Sequence, residues 1–103
     1  MGYRSEVAIV VSQKCYDVLA IGNRDIISQA DVYHKEDAVL IYYDYVKWYG
    51  DQVDKLMNAL EQIDHEQKMY IEIGEDVTDI KWEGGFWDNP FNIGVSRFIT
   101  KEL

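Results

Sequence analysis

The stretch AVLIYYDYVKW, Ala38 to Trp48, is the strongest strand signal in the chain. It is rich in β-branched and aromatic residues, which suit a pleated, packed surface. Just before it, Ala30 to Lys35 (ADVYHK) alternates weakly, and Glu36-Asp37 stands between the two runs as a turn. A hairpin is the economical reading of that pair. Inside the strong run, Asp44 implies that Tyr42 and Asp44 face outward. That would bury Tyr43 and Tyr45, whose hydroxyls then need partners. A bulge would alter the parity.

Upstream, Glu6 to Val11 (EVAIVV) reads as a buried strand. Ser12 follows as a helix N-cap, its hydroxyl placed to accept from a first-turn N–H. From Gln13 to Ile21, Cys15, Val18 and Leu19 fall on one helical face, and Gly22-Asn23 reads as a left-handed stop. Arg24 to Gln29 is ambiguous between a coil and a short helical turn.

Downstream, Gly50 breaks the strand and Asp51 puts a carboxylate at a helix start, where it meets the partial positive charge. Val53, Leu56, Met57, Leu60 and Ile63 then form one apolar stripe on a helix. His65 to Lys68 is a polar connection. Met69 to Ile73 (MYIEI) is a strand with Met69, Ile71 and Ile73 on one face and Tyr70 and Glu72 on the other. Gly74 to Pro90 reads as a long connection, and Phe91 to Thr100 (FNIGVSRFIT) as a last strand.

The resulting expectation is a single α+β domain over 1–103. It is a ferredoxin-like βαββαβ unit with an additional C-terminal β-strand, both helices lying on one face of an antiparallel sheet. The expected spatial order is 5-4-1-3-2, the fifth strand being residues 91–100. The other sheet face is expected to be open or covered by a partner.

The chain has 103 residues, 19 Asp plus Glu, 10 Lys plus Arg and a formal charge of −9. Such acidity argues against a general binder of duplex DNA or anionic membranes, which needs a basic surface. No apolar run approaches the roughly 20 residues of a membrane span, and the opening MGYRSEV lacks a secretory apolar stretch. The single cysteine, Cys15, forms no internal disulfide, and with two distant histidines it gives no paired metal-ligand spacing. The tyrosines could supply a base-stacking sheet face, but few cations flank them. No direct nucleic acid, membrane or cofactor is therefore expected, and no catalytic or metal-ligating residue is assigned.

The charge is uneven. Residues 1–50 carry five basic and seven acidic side chains, whereas residues 51–103 carry five and twelve. Acids and aromatics interleave in one region: Glu72, Glu75, Asp76, Asp79, Trp82, Glu83, Phe86, Trp87 and Asp88. Large rings can anchor an interface while acids steer association. These nine residues are the expected partner-binding surface, and a host protein with a basic surface is the expected partner. The bland reading is that the acids serve solubility and the rings tuck onto the core. The alternatives are a small metal-dependent enzyme or metal-binding protein using the loop carboxylates, and a homo-oligomer formed through the open sheet face.

MGYRSEV (1–7), DYVKWY (44–49), YIEIGED (70–76) and DNPF (88–91) together resemble a family of small, acidic, mostly uncharacterised phage and prophage proteins. The resemblance covers nearly the whole chain and carries no established catalytic residues with it. It implies a non-enzymatic, phage-type protein in the bacterial cytoplasm that binds and inhibits a host protein. Anti-defence action of an anti-CRISPR or DNA-mimic type is what it implies most concretely.

Overall fold

In the computed structural model, residues 4–74, 80–86, 88–95 and 99–103 are described. The centre of the fold is β1 (Ser5–Ser12), in which Val7 through Val11 are almost wholly buried. A run that is apolar without alternation needs cover on both faces, and β1 has it. It pairs antiparallel with β3 (Ala38–Val46) on one side and β4 (Lys68–Ile73) on the other. Next to β3 lies β2 (Asp31–Lys35), and next to β4 lies β5 (Ile80–Gly84), both antiparallel. The protein is thus a mixed α+β fold on a five-stranded antiparallel sheet ordered β2-β3-β1-β4-β5.

Among the described residues, three α-helices cover one face of this sheet. They are α1 (Gln13–Gly22), α2 (Arg24–Ile27) and α3 (Asp51–Glu61). Leu19, Ile26, Ile27, Val53, Leu56 and Leu60 from the helices pack with Val7, Ile9, Val11, Ile41 and Tyr43. The expected Ser12 cap is present, its hydroxyl accepting from the Cys15 N–H at 3.3 Å. The stop after α1 is different from the expected one. Asn23 has φ −134°, and its side-chain amide donates to the Leu19 carbonyl at 2.9 Å. The helix therefore ends through a side-chain bond, with no left-handed residue at either Gly22 or Asn23.

The strong strand ends at Val46, two residues short of Trp48. The cause is a bulge. Ser5 pairs with Val46 but Val7 with Tyr43, so Asp44 and Tyr45 together oppose Glu6. Tyr45, at φ 58°, swings out to solvent. Tyr43 is buried on the helix side, where its hydroxyl donates to the Ile26 carbonyl at 2.7 Å. Trp48 folds back with its ring 4.7 Å from that of Tyr43.

The second sheet face overturns two expectations. The described residues of 91–100 do not extend the main sheet, because β5 takes the edge beside β4. Instead Phe91, Ile93 and Ile99 pack onto Ala8, Val10, Leu40, Met69 and Ile71. The short strands β6 (Gly94–Val95) and β7 (Ile99–Thr100) pair only with each other. The face expected to be open is thus covered by the chain's own end. Tyr42, read as outward, is consequently buried there, with the Lys101 ammonium 3.9 Å from its ring centroid.

The strand β5 lies within the expected connection Gly74 to Pro90, and its sequence IKWEG runs into Gly84-Gly85 and turns only Trp82 partly inward. Gly84 is required at its end. It has φ +93°, and a Cβ there would lie 2.2 Å from the Lys68 carbonyl oxygen.

Candidate functional site

Five of the nine residues of the expected surface are described: Glu72, Trp82, Glu83, Phe86 and Asp88. Glu72 lies on β4 and is only 9% exposed. The Trp48 indole N–H donates to the Tyr70 hydroxyl at 2.8 Å, and that hydroxyl donates to Glu72 Oε1. Burial raises the Tyr70 phenol well above its usual range, and the bond to Glu72 and that carboxylate's charge raise it further. The phenol therefore stays protonated and stays a donor. Glu72 ties the segment after β3 to the central sheet and is not a steering charge on the surface.

Trp82 is half-buried, paired across strands with Ile71, and packs with Phe86 against the second face. Phe86 is held by a turn lock that sequence reasoning missed. Asn89 is buried, its amide donating to the Phe86 carbonyl at 2.6 Å and its oxygen accepting from the Phe91 N–H at 3.0 Å. The available signal was the Asn-Pro pair, since Asn side chains favour such turns. Glu83 and Asp88 are exposed. Glu75, Asp76, Asp79 and Trp87 lie outside the described residues.

What the structure does assemble is an acidic end. The 3₁₀ turn His65–Gln67 sits between α3 and β4 and meets the end of β5 through the Gly85 N–H, which donates to the His65 carbonyl at 2.8 Å. Glu61 and Glu83 line one small cavity beside Lys68 and Tyr70. Asp64 and Glu66 flank His65 in the same turn, and all four carboxylates are exposed. Of these only Glu83 belonged to the expected surface. The others are separated from it in sequence, and the pairing of β4 with β5 together with the Gly85 to His65 bond brings them to the same end.

Cys15 Sγ lies 3.2 Å from Gln67 Oε1. His34 instead bonds Gln13 at 2.9 Å and stands edge-on to Tyr16. The ring of His65 lies where a Cβ on Gly85 would sit. Among the described residues, no three His, Cys, Asp or Glu side chains gather as metal ligands would. The rings considered for base stacking are mostly enclosed, since Tyr42, Tyr43 and Tyr70 are buried. No helix among the described residues is long and apolar enough to cross a membrane.

No protein-family model, curated protein or solved structure matches this chain.

Proposed function

We propose that the protein is a non-catalytic, phage-type binding module that docks its acidic end onto a basic surface of a host protein and inhibits it. The observation that carries this reading is that Glu61 of α3 and Glu83 of β5 line one cavity, with the exposed Asp64 and Glu66 in the 3₁₀ turn that the Gly85 N–H joins to the end of β5. Carboxylates held on a rigid frame raise association rates with a basic partner and exclude acidic ones. A host enzyme that binds nucleic acid is a suitable target, because its own site accepts a row of phosphates. An anti-defence role of DNA-mimic or anti-CRISPR type, in the bacterial cytoplasm, is the most concrete form of the proposal, and the resemblance to small acidic phage proteins supports it. The ferredoxin-like reading belongs with it. The order β2-β3-β1-β4-β5, with helical segments between β1 and β2 and between β3 and β4, supports that assignment.

Affinity capture from bacterial lysate tests the proposal with two charge-reversed variants. Glu61→Lys with Glu83→Lys should abolish capture of a basic protein. The remote pair Asp25→Lys with Asp31→Lys should leave it intact. Equal loss in both variants would reduce the effect to net charge, and capture that survives the first pair would refute the acidic end.

A further inference from the structure

A second surface, on the helical face, is unlike the acidic end. A groove of about 600 Å³ runs between α1 and α3. Cys15, Val18, Leu19 and Gly22 face it at spacings of three, one and three, one side of a helix. Lys55 and Ala59 face it from α3 at a spacing of four, and Ile63 faces it from just past the end of that helix. The floor is Leu19, which is buried, whereas Val18 on the wall is 71% exposed although it is a large apolar side chain.

The two ends differ. At one, Gln67 closes the groove, its side-chain oxygen 3.2 Å from both Cys15 Sγ and Ser12 Oγ. Lys14 and Asp64 stand among the lining there with opposite charges. At the other end lie Gly22, Asn23 and Lys55, and the adjoining hollow adds Arg24 and Asp25, so that two cations face one carboxylate there. A Cβ on Gly22 would meet nothing within 4 Å, so this end is roomy. The lining thus holds two lysines and one aspartate in a chain whose net charge is −9.

We infer that this groove binds a medium-chain fatty carboxylate. The head group pairs with Lys55 at the open end, and the alkyl chain runs past Val18, Leu19, Ala59 and Ile63 toward Cys15. Three features select this occupant. The volume lies within the range of small-molecule sites, and such sites are apolar with a few placed polar groups. The unbalanced charge at the open end is positive, so an anion is favoured over a cation or a neutral alcohol. The Gln67 closure ends the groove after about 10 Å, the length of α1 from Cys15 to Gly22. A long partner helix would have to break that closure, whereas a short chain fits inside it.

Calorimetry with decanoate tests the assignment on the full chain. Saturable one-to-one binding is expected, weakened about tenfold or more by Lys55→Glu, the scale of a lost charged hydrogen bond. Gly22→Phe should block it sterically, at a position whose backbone φ is not in the left-handed region. Bound decanoate should also slow alkylation of Cys15 by iodoacetamide. Decyltrimethylammonium binding as tightly as decanoate would overturn the charge assignment. Absence of saturable binding, or affinity unchanged in both variants, would overturn the site. A concentration-dependent dimer that Val18→Asp dissolves would assign the groove to a second copy of the chain instead.

Discussion

The two faces of the central sheet are covered in different ways. The helix face is closed by α1, α2 and α3, segments that lie next in sequence to the strands they cover. The opposite face is closed by Phe86, Phe91, Ile93 and Ile99, residues of a strap from the far end of the chain whose described part holds only the short strands β6 and β7. Its polar fastenings are few and specific. Glu6, at the bulge, accepts from the Ile99 N–H at 2.8 Å with one oxygen and from the Tyr42 hydroxyl with the other. Asn89 locks the turn that starts the strap. One cover is built from periodicity and the other from single residues, so the two should fail differently.

The sharpest test compares one large apolar residue from each cover. Phe91→Ala and Leu60→Ala remove side chains that are 0% and 4% exposed. Chemical denaturation should show losses of about 3–5 kcal/mol for the first and about 2–5 for the second. A loss below about 1 kcal/mol for Phe91→Ala would remove the strap from the core. Gly84→Ala comes next, at the joint between β4, β5 and the 3₁₀ turn. It should cost about 2–4 kcal/mol, because a positive-φ strain adds to a backbone collision. Full stability in that variant would mean that β5 does not close the edge as described.

Alkaline unfolding probes both faces together. Tyr43 and Tyr70 on the helix side, and Tyr42 under the strap, all have phenols raised chiefly by burial. An unfolded chain loses these protons first, near pH 10. The stabilisation is therefore complete below about pH 10 and lost as pH rises further. Melting temperature should be flat from about pH 8 to 10 and fall above that. A fall beginning well below pH 10 would point to groups other than these tyrosines.

The smallest effects separate the two kinds of fastening. Glu6→Gln should cost about 1–2 kcal/mol, and it should speed hydrogen exchange at Ile99 while leaving α1 and α3 protected. Ser12→Ala should cost about 1 kcal/mol through the lost cap and fray α1 with no effect on the strap. If each variant loosened both faces equally, the covers would form one cooperative unit and the contrast would collapse.

Much of the helix face was legible because it is local. The Val53, Leu56 and Leu60 stripe, the Ser12 cap and the unbroken β1 run each follow from neighbours within a few residues. The strap was legible only as an alternating strand. Nothing in FNIGVSRFIT says whether its apolar residues pair at a sheet edge or lie across a sheet face. Glu72 in MYIEI reads as outward, yet Tyr70 and Trp48 enclose it. Trp82 and Phe86, both half-buried, pack against the second face. The acidic end was invisible because Glu61 and Glu83 are 22 positions apart in sequence and meet only through strand pairing.

By itself the sequence determined α1, α3, the strands β1 to β4, the negative charge and the Ser12 cap. All of these depend on dihedral preference and side-chain spacing over a few residues. Tertiary structure alone decided which segment covers the second face, where Tyr42, Glu72 and the late aromatics end up, and which carboxylates stand together. The physical reason is that a buried face accepts any apolar cover of the right shape. The selection among covers rests on long-range bonds, such as the one from Ile99 to Glu6, that leave no periodic trace along the chain.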